Sequence, residues 1–315
     1  MTEPAPTVTS SAHPVRVEYH SDLVEEAVLV AIEMRPLEAR RRFREKRNRV
    51  YEIDDPDDRQ LRFEQLHGQW FVELGLAQPL QQALREQATV ADGVSRVLVV
   101  PVTGRKEEFA DLARPPGSQE PPRLLIRLRV STLVDKVGLL SWLRRELLHV
   151  ADLLDPEFGF TGTFATEGRE RALEKLHQQR YRVLWETSVG GRLVASEWSD
   201  PDTEERARER FRRIFGSPGA SCDEQFDRFF RGPRPTHSEL VDFAINPAVE
   251  TDRRRVDGCP VCRMPTVQLY PTPELLGAEV VRRIRSDIPQ WSPRDGLCFQ
   301  CADLYAALMP ARTGS

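Results

Sequence analysis

The sequence predicts a helix-rich α+β body followed by a small metal-bound module. Three observations carry this reading. Apolar residues recur with helical spacing from about Asp22 to residue 90, two short β-branched or apolar runs follow, and four cysteines near the C-terminus fall into two C-x-x-C pairs. With 315 residues, 40% of them hydrophobic, the chain has material for two compact domains. Its expected organisation is a disordered tail over 1–14, a helix-rich body over 15–250 and a cysteine module over 251–315.

Residues 1–14, "MTEPAPTVTSSAHP", are rich in Pro, Thr, Ser and Ala, the composition of a disordered tail. They lack the basic start and apolar core of a signal peptide. No apolar run reaches the roughly 18 to 20 residues that cross a bilayer, so a cytoplasmic protein with no membrane partner is expected. The net charge of −4 gives no basic excess, which argues against nucleic acid as a partner.

From Asp22, "DLVEEAVLVAIEM" places Leu23, Ala27, Val28 and Ile32 on one helical face. "PLEARRRFREKRNRVYEI" opens with Pro at a first-helical position, and "DPDDRQLRFEQLHGQWFVELGL" sets acidic residues at the positive end of a third helix. The period then changes. Residues 95–103, "SRVLVVPVT", and 122–131, "PRLLIRLRVS", read as strands, with "ARPPGSQEPP" as the loop between them. A long helix is expected from about residue 131 to Leu154, stopping where Pro156 disfavours helix at Asp155. Helices follow in "ERALEKLHQQRYRVLWETSV", "DTEERARERFRRIFG", "SCDEQFDRFFRG" and "THSELVDFAIN".

The long helix carries the most informative short stretch, "SWLRRELLHVADLLDP", residues 141–156. At about 100° per residue, Arg145, His149 and Asp152 share one polar stripe, while Leu139, Leu140, Leu143, Leu147, Val150, Ala151 and Leu154 occupy the opposite arc. Glu146 falls near Trp142, Leu153 and Leu139. Burying an unpaired carboxylate is costly, so Glu146 is expected to have a partner.

Arg145-Glu146-Leu147-Leu148-His149 resembles the HExxH signature of zincin metallopeptidases, with Arg at the first His. The resemblance covers residues from about 95 to 190 and implies a zincin-like domain whose small sheet packs on the motif helix. Glu146 stands where the family's general base stands and His149 where it has a zinc ligand. Asp155 lies at the third-ligand spacing of the longer family pattern, and Asp152 replaces that pattern's Gly. Arginine has no lone pair to give a metal. The resemblance therefore implies a catalytically impaired scaffold, a pseudoenzyme in which the guanidinium pairs with Asp152, Asp155 or Glu146. Any surviving activity would be that of a metal-dependent hydrolase.

A rival reading uses the Glu-x-x-His pairs Glu64/His67, Glu146/His149 and Glu174/His177, since two such pairs with two further carboxylates make a di-iron site. Glu33 and Glu186 are the candidates for those carboxylates. His177 and Glu186 also stand on the helix after the motif, where another zincin branch takes its third ligand.

"GCPVCRMPT" and "GLCFQCADLYAALM" place Cys259/Cys262 and Cys298/Cys301 on either side of 35 residues. Four thiolates complete a closed tetrahedral zinc site, and "TPELLGAEVVRRIRSD" supplies a helix between the pairs. The arrangement resembles a treble-clef or zinc-ribbon finger, which implies one structural zinc and no second metal. Such a module serves as scaffold or docks a protein partner. The remaining Cys222, with no adjacent His or Lys, reads as a small buried hydrophobe. A non-enzymatic zinc-finger interaction protein is thus the alternative to a zincin-like one.

Overall fold

A computed structural model describes residues 15–114, 120–161, 171–216, 220–247, 258–264, 269–270 and 276–308. The expected tail over 1–14 lies outside them, as does the expected start of the cysteine module at 251. The chain divides into two compact units, Met1–Asp155 and Pro156–Ser315. This division precedes the module boundary expected near 251.

The first unit is α+β. Its strands are β1 (Arg16–Tyr19), β2 (Arg96–Pro101), β3 (Phe109–Ala113) and β4 (Arg123–Leu128), in the order β1-β2-β4-β3. β1, β2 and β4 run parallel, and β3 closes one edge antiparallel to β4. Parallel neighbours need long crossovers. Between β1 and β2 that crossover holds α1 (Ser21–Glu33), α2 (Leu37–Tyr51), α3 (Pro56–Glu73), α4 (Gln78–Glu86) and α5 (Ala88–Gly93).

Local chemistry sets the helix starts. Asp55 Oδ1 accepts from the N–H groups of Asp57 and Asp58 at 2.9 Å, capping α3 just ahead of Pro56. Pro36 caps α2 from outside instead of opening it. The helix expected over 131–154 is two: α6 (Val130–Val134) and α7 (Lys136–Leu154). Asp135 makes the break, its carboxylate accepting from Gly138 N at 3.1 Å to start α7 afresh.

Alternation along the strands turns Val17, Tyr19, Val97, Val99, Leu124 and Ile126 into the core, where α1, α3, α4 and α7 meet them. α7 contributes Leu139, Leu143, Leu147 and Val150. Two polar contacts fix its position. Lys136 Nζ donates to Leu74 O at 2.6 Å, and Arg144 grips Glu86 of α4 through Nε and Nη2 at 2.8 and 2.7 Å.

The second unit is helical: α8 (Arg171–Ala195), α9 (Thr203–Phe215), α10 (Ala220–Arg231), α11 (His237–Ile245), α12 (Ala278–Asp287) and α13 (Phe299–Ala307). α11 starts at a capping box between Thr236 and Glu239. One apolar cluster joins Phe211, Phe226, Phe230 and Phe243 to Val261, Ile284, Trp291, Tyr305 and all four paired cysteines. The cysteine segment therefore shares its core with α8–α11.

Candidate metal centre

The first pair sits in a tight turn. Cys259 N donates to Met264 O and Arg263 N donates to Cys259 O, both at 2.7 Å, which closes a knuckle over Cys259–Met264. Arg263 holds the left-handed conformation there, with φ 60°. The second pair opens α13: Cys298 is its N-cap and Cys301 lies in its first turn, where backbone N–H groups favour thiolate.

These elements bring all four Sγ atoms within 4.8 Å of one another, every one of them buried. Cys259 and Cys301 are 3.9 Å apart and Cys262 and Cys298 3.7 Å, and none of the four is in a disulfide. A tetrahedral ion with Zn–S bonds of about 2.3 Å separates its sulfurs by about 3.8 Å, so the cage has the size of a zinc site. Cys298 N also donates to Cys259 Sγ at 3.2 Å. Hydrogen bonds from Cys262, Cys298 and Cys301 hold the Cys259 thiol far below its ordinary range, and donating to Cys259 pushes Cys301 up. Cys262 is lowered as well and Cys298 raised, by the same mutual contacts among the four sulfurs. A divalent cation compensates further thiolates without leaving like charges crowded in an apolar core.

No family model, curated protein or solved structure matches the chain. The chemistry rests on the residues themselves. The four-cysteine cage can hold a single metal ion, and its donor set is that of zinc.

The motif helix is arranged differently. Arg145 Nε lies 3.3 Å from Glu146 Oε1, one of the three carboxylates considered for it. Glu146, with 20% of its side chain exposed, also accepts a hydrogen bond from the backbone of Ala110 on β3. Burial nevertheless raises its carboxyl above the ordinary value, and Arg145 opposes that rise. Asp152 is fully buried and His149 half-buried, so the polar stripe of the wheel is not one solvent-facing band. Among the described residues, the cysteine cage is the one set of three or more His, Cys, Asp or Glu ligands that converges. Glu146, His149 and Asp155 form no such set.

The residues of the di-iron reading are engaged locally. Glu64 accepts from Gln60 and Glu174 from Gln178, each at 3.1 Å and one helical turn away. Glu33 pairs with Arg40 and Arg44, and Glu186 with Arg210. His67 is a core histidine between Phe43 and Phe63, its pKa lowered by burial against the pull of Glu25. Cys222 is half-buried among apolar neighbours, and burial raises its thiol, as suits an inert side chain.

Sequence reasoning found the cage but missed Ala110 and Asp287. The first belongs to an unforeseen edge strand; the second ends α12 beside the knuckle, and its carboxylate is fully buried.

Proposed function

We propose that the protein is a zinc-binding protein in which Cys259, Cys262, Cys298 and Cys301 hold one structural zinc ion. The observation that carries this is the pair of Sγ–Sγ separations, 3.9 and 3.7 Å, in a buried cage of four free cysteines. A site closed by four thiolates has no position for substrate, so the ion organises the knuckle and the start of α13. Its role is to tie the segment after residue 258 into the core of the second unit.

The finer reading is that the first unit is a zincin-like scaffold without a catalytic metal. It is supported by a motif helix beside the antiparallel edge strand β3, and by a guanidinium standing against the one carboxylate that would have activated water. In that reading Arg145 substitutes fixed charge for a metal ion, and the unit serves as a binding surface. Elemental analysis of the protein purified without added metal tests both parts. One zinc, lost in Cys259→Ser/Cys301→Ser, supports the structural site. Arg145→His supplies the missing ligand and adds a second metal equivalent if the scaffold is zincin-like; unchanged stoichiometry removes that part of the proposal.

A further inference from the structure

We infer that the turn after α3, where Arg35 and Lys136 meet beside Gln78, is a binding site for a phosphate group. Both cations reach one carbonyl: Lys136 Nζ donates to Leu74 O at 2.6 Å and Arg35 Nη2 donates to it at 3.4 Å. The two positive charges therefore stand within two hydrogen-bond lengths of each other. Leu74 is the C-cap of α3, and one cation is enough to satisfy a helix-terminal carbonyl. The second is in excess. Among the described residues neither cation is in an ion pair with a carboxylate. The acids next to them in sequence are engaged elsewhere: Glu33 pairs with Arg40 and Arg44, Glu73 with Arg42, and Asp135 accepts from Gly138 N.

The surroundings add to the positive field. Glu86 of α4 bonds Arg144 of α7, and Gln78 of α4 lies beside Lys136 of α7, so the two helices run side by side in one direction and start together. Their N-termini bring partial positive charge to the same corner. The end of α3 and the Asp135 carboxylate oppose it, but Leu74 O is already taken by the cations and Asp135 is open to solvent, which screens it. Gly75 shapes the floor. It holds the left-handed conformation, φ 68°, and a Cβ there would lie 2.9 Å from Lys136 Nζ and 2.8 Å from Gln78 Oε1. The missing side chain lets ammonium and amide close over bare backbone. Burial and the Arg35 charge both hold Lys136 below its ordinary pKa, the direction expected of a cation without a counter-ion.

A phosphate group meets all of these donors. It carries roughly two negative charges at neutral pH, which match two cations. Its oxygens take the guanidinium fork, the ammonium and the Gln78 amide at once, whereas a carboxylate brings half the charge and fewer oxygens. Arg35 and Gln78 are exposed, so the site is open to a ligand from solvent.

The phosphate has two sources, free orthophosphate or a phosphomonoester. The lysines of the chain are Lys46, Lys106, Lys136 and Lys175, so isotope labelling of lysine Cε gives one NMR signal for each. Titration of the full chain with orthophosphate and with methyl phosphate, at constant ionic strength, separates the sources by which binds more tightly. The signal missing in Lys136→Arg should shift saturably with at least one of them, and the other lysine signals should not. Gln78→Glu supplies the absent counter-ion at the first position of α4, where an acidic side chain favours the helix, so the fold is kept. It should weaken binding at least tenfold, as should Arg35→Gln. Lys46→Gln, an equal change in net charge away from the site, should leave binding unchanged. The inference is overturned if the Lys136 signal saturates with neither ligand, if Lys46→Gln weakens binding as much as Arg35→Gln, or if Gln78→Glu or Arg35→Gln, folded by circular dichroism, binds like the wild type.

Discussion

Cys259 and Cys301 are 42 residues apart in sequence, yet their sulfurs lie 3.9 Å apart inside the apolar core of the second unit. Closing so long a loop costs chain entropy that two buried thiols do not return, whereas a metal bound by four thiolates does so amply, at roughly 10 kcal/mol or more. The two units have separate cores, so metal removal should act on one of them. A strong chelator is expected to lower the melting transition of the second unit by tens of degrees and leave that of the first in place. Differential scanning calorimetry with and without chelator checks this, and coincident shifts of both transitions would sink it.

Arg263 holds φ 60° at the turn that closes the knuckle, a conformation that costs a residue with a Cβ about 1 kcal/mol. Its side chain is exposed, so little packing is lost on truncation. Arg263→Gly is therefore expected to stabilise the zinc-loaded protein by about 1 kcal/mol in denaturant titration, less glycine's own entropy cost. A loss of stability would show that the guanidinium does more at the knuckle than its exposure suggests.

Gly191 of α8 lies where α10 crosses: a Cβ built there would be 1.7 Å from the carbonyl oxygen of Phe230. The obstacle is backbone, which cannot rotate aside. Gly191→Ala should destabilise the second unit by roughly 3 kcal/mol or more, visible as an earlier second-unit transition. Gly190→Ala is the control, since its nearest neighbour, a Phe230 ring carbon, is 3.4 Å away.

Most helices and the metal cage were legible in the sequence because their determinants are local. Capping residues such as Asp55 and the C-x-x-C spacing act within a few positions. The misses have non-local causes. β3, "FADLA", is poor in β-branched residues and is a strand only because β4 offers it an edge. β1, "RVEY", is four residues whose pairing partner lies 80 positions on. Helical periodicity runs straight through Asp135, so the wheel could not show that its side chain caps a new helix. The partner of Glu146 was half visible. Arg145 is its sequence neighbour, but the Ala110 contact depends on the edge strand.

Glu86 and Arg144 give the first unit a definite response to acid. Their two contacts, 2.8 and 2.7 Å, join α4 to α7, and both side chains are less than a fifth exposed. The hydrogen bond from Arg144 holds the Glu86 carboxyl below its ordinary value of 4.5. A carboxyl lowered on folding stabilises fully above its unfolded pKa, and that contribution disappears as pH falls through the folded value. Glu86→Gln should thus cost roughly 1.5–3 kcal/mol at pH 7, the worth of a charge-assisted hydrogen bond. The gap between wild type and variant should hold constant down to about pH 5 and narrow below 4.5. Urea titrations of the first-unit transition at pH 7, 5 and 3.5 read this directly. A gap that persists undiminished at pH 3.5 would mean the glutamate acts there through its shape and not its charge.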